Sequence, residues 1–314
     1  MSIQDKIQQN VLLAPLTTFK IGGPARFFVE VTDLPELFAA IEWAKEQGEP
    51  IFVLGGGSNI LVSDQGFAGL VIRLKIDKLI LRGTDVLVGA GALMSQVVLL
   101  SIDNELAGME WAVGLPGTVG GAVWGNAGCF GSGMHQVVSE VEYLDLKTLK
   151  LVKINNHECD FSYHESVFSK NNWLILGVIF SLEHGHKERI QERVTDIISK
   201  GLTRKIKAPT AGCVFRNFSF AELQEANPEI YREAVELNKI RDGGIAAGWL
   251  IDHHGLKGKT IGGAKISDIH ANFIINESGK ATAEEVVMLI SQVKQQIRDS
   301  YGVQLHEEIQ YVGF

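Results

Sequence analysis

Three consecutive glycines that follow a short apolar run form the first candidate ligand site. The run Ile51–Leu54 predicts a buried strand, and the five residues after it are Gly55, Gly56, Gly57, Ser58 and Asn59. Because glycine has no Cβ, such a turn can adopt positive φ and bring its backbone close to a ligand. Successive N–H groups in this kind of turn form a concave anion site, and the usual guest is a phosphate. The spacing matches neither the dinucleotide fingerprint nor the P-loop, so a plain tight turn is the alternative.

A second glycine-dense stretch strengthens the case for a ligand. Residues 114–133 read GLPGTVGGAVWGNAGCFGSG and hold eight glycines in twenty residues, well above average usage. Apolar side chains such as Val119, Val123 and Trp124 interrupt the glycines, so the stretch is not a flexible linker. It predicts a buried loop whose backbone contacts a large flat group. Two such loops favour a dinucleotide or a flavin that is held mainly by backbone.

The two stretches together resemble a known family. The segments LGGGSNILVSDQGFAGLVI (residues 54–72) and GLPGTVGGAVWGNAG (residues 114–128) are similar to the FAD-binding domain of the UDP-N-acetylenolpyruvoylglucosamine reductase family, in the vanillyl-alcohol-oxidase-like superfamily. The resemblance implies bound FAD, with NADPH as co-substrate. The residues that it implies for FAD binding are Gly55, Gly56, Gly57, Ser58, Asn59, Gly114, Pro116, Gly117, Thr118, Gly120, Gly121, Asn126 and Ala127.

The resemblance also implies a fold class and a domain plan. The expected class is α+β, with a two-subdomain FAD-binding fold of the vanillyl-alcohol-oxidase-like type and a third α+β domain that binds substrate. The expected boundaries are residues 1–66 and 67–202 for the FAD-binding subdomains and 203–302 for the substrate-binding domain. Residues 303–314 alternate like a strand and are expected to return to the first subdomain.

The segment PTAGCVFRN, residues 209–217, contains the candidate proton donor. In the family this motif has a serine that protonates the reduced substrate and an asparagine that contacts the nucleotide. Here Cys213 stands at the serine position, Asn217 is retained, and Phe218 replaces the usual proline. A thiol is a stronger acid than an alcohol, with an ordinary pKa of about 8.5, so Cys213 is expected to be the donor. The alternative is that Cys213 only fills space as a small apolar side chain.

The segment FSYHESVF, residues 161–168, departs from the family at one position. It resembles the family's Tyr-Arg-x-Ser motif, with Tyr163 and Ser166 retained, and His164 replaces the catalytic arginine. Arginine is a permanent bidentate cation, whereas histidine is charged only in part near neutral pH. Either His164 partly substitutes as a cation, or another cation such as Arg216 covers the substrate's charge. The resemblance implies that Tyr163 and Arg216 bind substrate and that His164 is catalytic.

The tail LHEEIQYVG, residues 305–313, contains the third candidate catalytic residue. In the family the second acidic residue, before a β-branched one, is catalytic, and that register selects Glu308 over Glu307. If Val303, Leu305, Ile309 and Tyr311 face the core, Glu308 lies on the opposite face of the strand. An exposed strand carboxylate without a function is the alternative.

Cations are grouped at one point of this acidic chain. Arg204, Lys205 and Lys207 precede a loop of small residues, and the resemblance implies that Arg204 and Lys205 hold the diphosphate of a UDP-sugar. A solvated junction between domains is the alternative. His253 occupies a position in residues 246–276 that commonly faces substrate in the family. Neither His253 with His254 nor His184 with His186 has carboxylate or cysteine ligands at suitable spacing, so no metal is expected.

Composition narrows the class of protein. A net charge of −8 argues against a general nucleic-acid binder. No apolar run reaches the eighteen or more residues of a membrane span, and the first ten residues are polar, so neither a span nor a signal peptide is expected. Three cysteines without metal-like spacing fit a reducing cytoplasm.

Alternating strands and helices must position these residues. Predicted strands are 27–31, 51–54, 79–82, 86–89, 138–146, 149–154, 174–182 and 303–311; predicted helices are 34–47, 95–106, 188–200, 228–237, 245–252 and 282–299. The short spacing from Tyr163 to Cys213 indicates the family's subclass with a reduced substrate lid. Two rival functions stay open, an FAD oxidase of the same superfamily and a non-catalytic nucleotide-binding module.

Overall fold

The computed structural model describes residues 2–201, 206–241 and 244–314, and the chain divides into two compact units. Unit 1 comprises Met1–Val11, Arg26–Gly56 and Ala68–Gly201; unit 2 comprises Leu12–Ala25, Gly57–Phe67 and Leu202–Phe314. The three predicted domains are a finer division than these two units, and their boundaries stay a prediction.

Unit 1 contains two main sheets. One is four-stranded, in the order Gln8–Leu12, Pro24–Val31, Phe67–Leu74, Ile51–Leu54, and its last two strands run parallel. The other is five-stranded and antiparallel, in the order Lys150–Asn155, Val138–Asp145, Trp173–Ser181, Asp85–Gly89, Leu79–Arg82. The α-helices of this unit are Ile3–Lys6, Leu34–Gln47, Met94–Asp103, Val119–Trp124, Met134–Val137, Val167–Lys170 and Lys187–Lys200.

The helix Leu34–Gln47 shows how local sequence sets an element. The Asp33 side chain accepts a hydrogen bond from the Glu36 N–H at 2.9 Å and so caps the first turn. Gly48 ends the helix in the left-handed region at φ 69°, which costs glycine little. The side chains Leu37, Ala40, Ile41 and Ala44 are buried at helical spacing. Both ends therefore lie where the sequence places them.

The described residues of unit 2 form smaller sheets and four α-helices. An antiparallel sheet has the order Thr210–Cys213, Phe273–Ile275, Ala264–Ile266, Thr260–Ile261, and a three-stranded one has the order Phe218–Ser219, Gly244–Ile245, Ile240–Arg241. The described helices are Phe220–Ala226, Pro228–Glu236, Ala247–His253 and Ala283–Tyr301. The longest, Ala283–Tyr301, buries Val286, Leu289, Ile290, Val293 and Ile297 in the core of this unit.

The C-terminal tail differs from the predicted strand 303–311. Only Gln310–Val312 is a strand, and it pairs in parallel with Ile60–Val62. Val303, Leu305 and Ile309 are buried as predicted, but Tyr311 is 39% exposed and Val312 is buried instead. The alternation breaks because the chain bends at Ile309 and changes its hydrogen-bonding partner there.

Candidate active site

The two glycine stretches meet within unit 1. A Cβ added to Gly56 would lie 2.4 Å from the Gly117 Cα, and one added to Gly55 would lie 2.9 Å from the Thr118 Oγ1. Distances this short leave no room for a side chain at Gly56. The glycines therefore allow the two stretches to touch, and this contact brings together the two segments that the sequence assigns to one ligand.

The sequence predicts that the second stretch is a buried loop. In the structure it also contains the helix Val119–Trp124. Val119, Ala122 and Val123 are buried at helical spacing, which the surrounding glycines concealed in the sequence. Gly120 packs on Ala90, whose Cβ would lie 2.8 Å from an added Cβ. On the opposite side Gly121 is exposed, and an added Cβ there would meet only the Thr118 Oγ1, at 3.6 Å.

These glycines fit a flavin nucleotide. Gly56 and Gly120 are required by the protein's own packing, whereas Gly121 presents an open, exposed backbone that a ligand could approach closely. Gly114 and Pro116 are also exposed, while Thr118 is buried with its hydroxyl beside Gly55 and Gly121. The exposed positions are the ones available to hold FAD.

The remaining residues of the glycine turn belong to unit 2. Gly57 is buried at φ 62°, and its carbonyl accepts a hydrogen bond from the Thr18 N–H at 3.0 Å. Ser58 is half-buried. The Asn59 Nδ2 donates to the Glu308 carbonyl at 3.2 Å, and the Asn59 carbonyl accepts from the Gln310 N–H at 2.9 Å. Asn59, predicted to bind FAD, is thus hydrogen-bonded to the C-terminal tail.

Asn126 and Ala127, also predicted to bind FAD, lie just beyond the glycine-rich helix. The Asn126 Nδ2 donates to the Ser162 carbonyl at 2.7 Å, and its Oδ1 accepts from the His135 N–H at 3.1 Å. The Ala127 N–H donates to the Ala122 carbonyl at 2.8 Å. The Asn126 side chain therefore braces the turn that follows Ser162.

That turn presents Tyr163 and His164 side by side. Ser162 and Glu165 exchange two backbone hydrogen bonds of 3.0 and 3.2 Å, which closes a two-residue turn. His164 has a positive φ of 53°, and its ring lies 4.4 Å from the Tyr163 ring, centroid to centroid. Ser166, fully buried, donates its hydroxyl to the Trp124 carbonyl at 2.7 Å. Ser166 thus anchors the turn to the glycine-rich helix.

In unit 2 the candidate acids lie on two adjacent segments. The Glu308 N–H donates to the Val214 carbonyl at 2.8 Å, and the Arg216 N–H donates to the His306 carbonyl at 2.9 Å. The segment with Cys213 and Arg216 is thereby paired with the segment that carries Glu308. The Glu308 charge acts directly on the Cys213 thiol.

The Cys213 thiol is a weaker acid than an ordinary cysteine. Burial raises its pKa well above the usual range, the neighbouring Glu308 carboxylate raises it further, and a hydrogen bond with Asn272 acts in the opposite direction. The acidity expected from the residue type alone is therefore wrong in magnitude. The thiol instead keeps its proton at neutral pH, and the protonated form is the one that can donate.

Glu308 and Glu307 differ sharply in their surroundings. Burial raises the pKa of Glu308 to about 7, although the Arg216 cation opposes this. Glu307, one residue earlier, is bound by the Lys294 ammonium at 2.8 and 2.9 Å. A pKa of about 7 leaves Glu308 in both protonation states near neutral pH, on the segment paired with that of Cys213.

The other predicted substrate residues are dispersed within unit 2. The Asn217 Oδ1 accepts from the Ala247 N–H at 3.2 Å, at the start of the helix Ala247–His253. His253 has a partner at each ring nitrogen, the Tyr301 hydroxyl at 3.0 Å and Glu233 at 3.2 Å. Arg204 and Lys205 lie outside the described residues. Within the described ranges no cluster of three or more His, Cys, Asp or Glu could hold a metal, and no helix is long and apolar enough to cross a membrane.

Comparison with known proteins gives the family. Residues 204–312 match the C-terminal domain of UDP-N-acetylenolpyruvoylglucosamine reductase, and residues 25–154 match an FAD binding domain. The chain is 36% identical to the UDP-N-acetylenolpyruvoylglucosamine reductase of Solibacter usitatus, over 96% of this chain and 95% of that protein. It is 38% identical to the one of Halalkalibacterium halodurans, over 98% and 95%.

The chain belongs to the UDP-N-acetylenolpyruvoylglucosamine reductase family. A crystal structure of the Thermus caldophilus reductase matches with a TM-score of 0.77 at 31% identity, covering 98% of this chain and 99% of that one. The predicted family, the α+β fold class and the FAD-dependent oxidoreductase class are confirmed. FAD is the cofactor of the reductase family, with NADPH as reductant, as predicted.

Sequence reasoning missed two residues beside this reductase's candidate acids, and it missed the structural role of a third, Asn59, which it assigned to FAD. Asn272 and Lys294 contact the segments of Cys213 and Glu307, and Asn59 holds Glu308 rather than standing only beside a ligand. A signal existed for Asn272, because a lone amide immediately before the apolar run Phe273–Ile275 requires a partner once it is buried.

Proposed function

We propose that this chain reduces UDP-N-acetylglucosamine enolpyruvate to UDP-N-acetylmuramate, in a reductase site where Cys213 donates a proton and Glu308 stabilises charge. The product is a peptidoglycan precursor, so the activity serves cell-wall growth, cell shape and division. Bound FAD supplies the hydride, which it accepts from NADPH. The single observation that carries the assignment of the acids is the pairing of their two segments, in which the Glu308 N–H donates to the carbonyl of Val214, next to Cys213, at 2.8 Å.

The proposed role of Glu308 is to stabilise the negative charge that hydride addition creates on the substrate. Hydride addition at the vinyl CH₂ carbon converts it to a methyl group and leaves an electron pair delocalised into the substrate carboxylate. A protonated Glu308 can donate a hydrogen bond to that enediolate-like oxygen, and stabilisation of developing charge usually contributes most to such catalysis. The raised pKa of Glu308 keeps a large fraction in this form at neutral pH.

Cys213 completes the reaction at the neighbouring carbon. The thiol transfers its proton to the carbon that bears the ether oxygen, a C–H bond forms there, and the thiolate is later reprotonated from solvent. The raised pKa keeps the proton on the thiol at neutral pH, so that it is present when the more basic substrate carbon forms. The hydrogen-bonded pairing of the Cys213 and Glu308 segments fixes both groups on one framework.

The remaining predicted residues bind the substrate in this proposal. His164, at the tip of its turn, supplies the cation that an arginine supplies elsewhere in the family, with Arg216 as the alternative. Tyr163, Asn217 and His253 contact the substrate, and Arg204 and Lys205 hold its diphosphate. A cytoplasmic location is part of the proposal, because NADPH and the UDP-sugar are cytoplasmic metabolites.

Anaerobic stopped-flow of the two half-reactions tests the proposal. In Cys213→Ala, NADPH should reduce the bound flavin at a near-normal rate, since this half-reaction needs no protonation of a substrate carbon. Its re-oxidation by the enolpyruvyl substrate should slow by about 10²–10⁴-fold, the usual worth of a positioned general acid. Cys213→Ser should recover much of the loss. Re-oxidation of Cys213→Ala at the wild-type rate would show that the proton comes from elsewhere.

The FAD-dependent oxidoreductase class excludes a non-catalytic nucleotide-binding module. The same sample tests the other rival function, an FAD oxidase. An FAD oxidase would be re-oxidised by oxygen and not by the enolpyruvyl substrate under anaerobic conditions.

A further inference from the structure

One buried amide, Asn272, contacts the backbone on which Cys213 lies at several points. The Asn272 side chain is 4% exposed. Its Oδ1 accepts from the Phe215 N–H at 2.9 Å, and its Nδ2 donates to the Phe215 carbonyl at 2.7 Å. Its own carbonyl accepts from the Val214 N–H at 2.8 Å. The Asn272 side chain therefore hydrogen-bonds the Phe215 peptide as a neighbouring strand would, just beyond the end of the strand Thr210–Cys213.

The strand register explains why such a partner is needed. Thr210 pairs with Ile275 and Cys213 with Phe273, so an irregularity lies between these two pairs. Beyond Cys213 the ladder to Phe273–Ile275 ends, and on the other side Phe215 forms an isolated bridge with Glu307. The Asn272 amide fills the place of the missing ladder bonds, since a buried peptide group without partners is costly.

The same side chain reaches the thiol itself. An amide nitrogen carries two donors; one is used by the Phe215 carbonyl, and hydrogen bonding by the Asn272 side chain acts to lower the pKa of the Cys213 thiol. The Asn272 N–H in turn donates to the His270 Nδ1 at 3.2 Å, which requires that nitrogen to be unprotonated. Burial lowers the pKa of His270, which favours its neutral form and keeps this acceptor in place.

We propose that Asn272 is a positioning residue that holds the Cys213 thiol and the Phe215 peptide in the geometry required for proton transfer. Its role in the reaction rests on the proposed function of Cys213. Its action on the thiol does not, and it can be measured separately.

Alkylation of Cys213 by iodoacetamide, followed by mass spectrometry, measures that action in the flavin-loaded protein. Asn272→Ala removes a hydrogen bond that favours the thiolate, so Cys213 should react about three- to tenfold more slowly at pH 9. A merely structural loss would loosen the site and make Cys213 react faster. Cys129, half-exposed in unit 1, is the internal reference within the same sample.

Asn276 offers a matched control at the other end of the same strand. It is fully buried, its Nδ2 donates to the Phe19 carbonyl at 3.3 Å, and its Oδ1 accepts from the Ala281 N–H at 3.0 Å. Asn276→Ala should therefore lose comparable stability without changing the alkylation rate of Cys213. Equal or faster alkylation of Cys213 in Asn272→Ala, relative to Asn276→Ala, would overturn the proposal.

Asn272→Asp provides a second variant if Asn272→Ala does not fold. A buried aspartic acid has a raised pKa, and its protonated form again offers one donor and one acceptor. The rate of substrate-driven re-oxidation of Asn272→Asp, divided by the wild-type rate at the same pH, should be near one at pH 6. This ratio should fall about tenfold or more by pH 8. A ratio that does not change with pH would contradict the positioning role.

The two readouts separate two kinds of failure. If alkylation responds to Asn272 but Cys213→Ala re-oxidises normally, the positioning of the thiol stands and the proposed proton donor is wrong. If alkylation does not respond, Asn272 is a packing residue, whatever the role of Cys213.

Discussion

The side-chain amide of Asn59 donates a hydrogen bond to the carbonyl oxygen of Glu308, with 3.2 Å between the two atoms. Asn59 closes the glycine turn assigned to FAD, and Glu308 is the candidate acid 249 residues later. A residue that looks like a cofactor ligand in the sequence therefore holds the backbone of the acid.

Replacement of Asn59 should consequently affect the substrate half-reaction more than flavin binding. Asn59→Ala removes the bond to the Glu308 carbonyl, at a cost of about 1 kcal/mol in unfolding free energy. Re-oxidation by substrate should slow while flavin content stays near stoichiometric. Flavin absorbance of the purified variant and single-turnover kinetics measure the two effects. Loss of flavin with normal re-oxidation of the remaining holoenzyme would instead make Asn59 a cofactor ligand.

Alanine substitutions at Gly56 and Gly121 test which glycine is required by the packing of the protein and which by contact with FAD. Gly56→Ala should destabilise the protein by about 1–3 kcal/mol because its Cβ meets the Gly117 Cα. Gly121→Ala should not lower the stability of the flavin-free protein, since the added Cβ meets only the Thr118 Oγ1 at 3.6 Å and alanine favours a helix more than glycine does. If FAD lies over Gly121, that variant should still bind flavin at least tenfold more weakly. Flavin titration and thermal unfolding separate these outcomes, and normal affinity in Gly121→Ala would place FAD elsewhere.

The raised pKa of Glu308 predicts a pH dependence with a definite sign. A carboxyl group whose folded pKa is about 7, against an ordinary value of 4.5, binds more protons in the folded state between these values. Its contribution therefore lowers stability as pH rises from about 4.5 to 7. Glu308→Gln should lack this decrease, which unfolding curves at several pH values measure. Substrate-driven re-oxidation of the wild type should also decline above about pH 7, and the glutamine variant should be slower and lose a smaller fraction of its rate there.

His164 should tolerate a permanent cation. His164→Arg restores the family residue on a turn whose backbone is already closed by Ser162 and Glu165. The variant should keep at least wild-type activity and lose less rate between pH 6 and 8. Because Glu308 titrates in the same range, the comparison is clearest in a Glu308→Gln background. A large loss of activity with flavin still bound would mean that His164 does something arginine cannot.

Lys294 should stabilise the tail through Glu307. Both side chains are about one quarter exposed, and Lys294→Met leaves the Glu307 carboxylate without this partner. The unfolding free energy should fall by about 1–2 kcal/mol, with slower re-oxidation because the Glu308 segment loosens. Lys200→Met is the control, since its pair with Asp196 is well exposed and should contribute little. Equal effects of the two substitutions would remove Lys294 from this role.

Local sequence signals predict much of the fold. The caps Asp33 and Gly48 bound the first long helix, and Thr282 with Glu285 forms a capping box at the start of Ala283–Tyr301. The strand Ile51–Leu54 has the same bounds in the sequence pattern and in the structure. The helix Val119–Trp124 has no such signal, because glycine has low helix propensity and only packing on Ala90 and its neighbours forms the helix there.

The sequence predicts the candidate site residues where their identity follows from residue type and motif position. It does not predict properties, such as a pKa, that depend on burial in the folded protein. The motif register selects Glu308 over Glu307 as the candidate, and in the structure Glu307 forms an ion pair with Lys294. The weak acidity of Cys213 could not be foreseen, because burial and the Glu308 charge are invisible in a one-dimensional pattern. Asn272 was missed for the same cause, since its partner Phe215 lies 57 residues away in the sequence.

The parallel pairing of Gln310–Val312 with Ile60–Val62 has a consequence for how the molecule acquires its structure. Each unit joins three separate stretches of the chain; the longest stretch of unit 1 is Ala68–Gly201, and the longest stretch of unit 2 is Leu202–Phe314. Contacts between residues so distant in sequence form slowly, because a long loop must close first. Because synthesis runs from the N-terminus to the C-terminus, the ribosome releases the Ala68–Gly201 segment long before the tail that carries Glu308. We expect the proton-donating machinery to be the last part of the molecule to form.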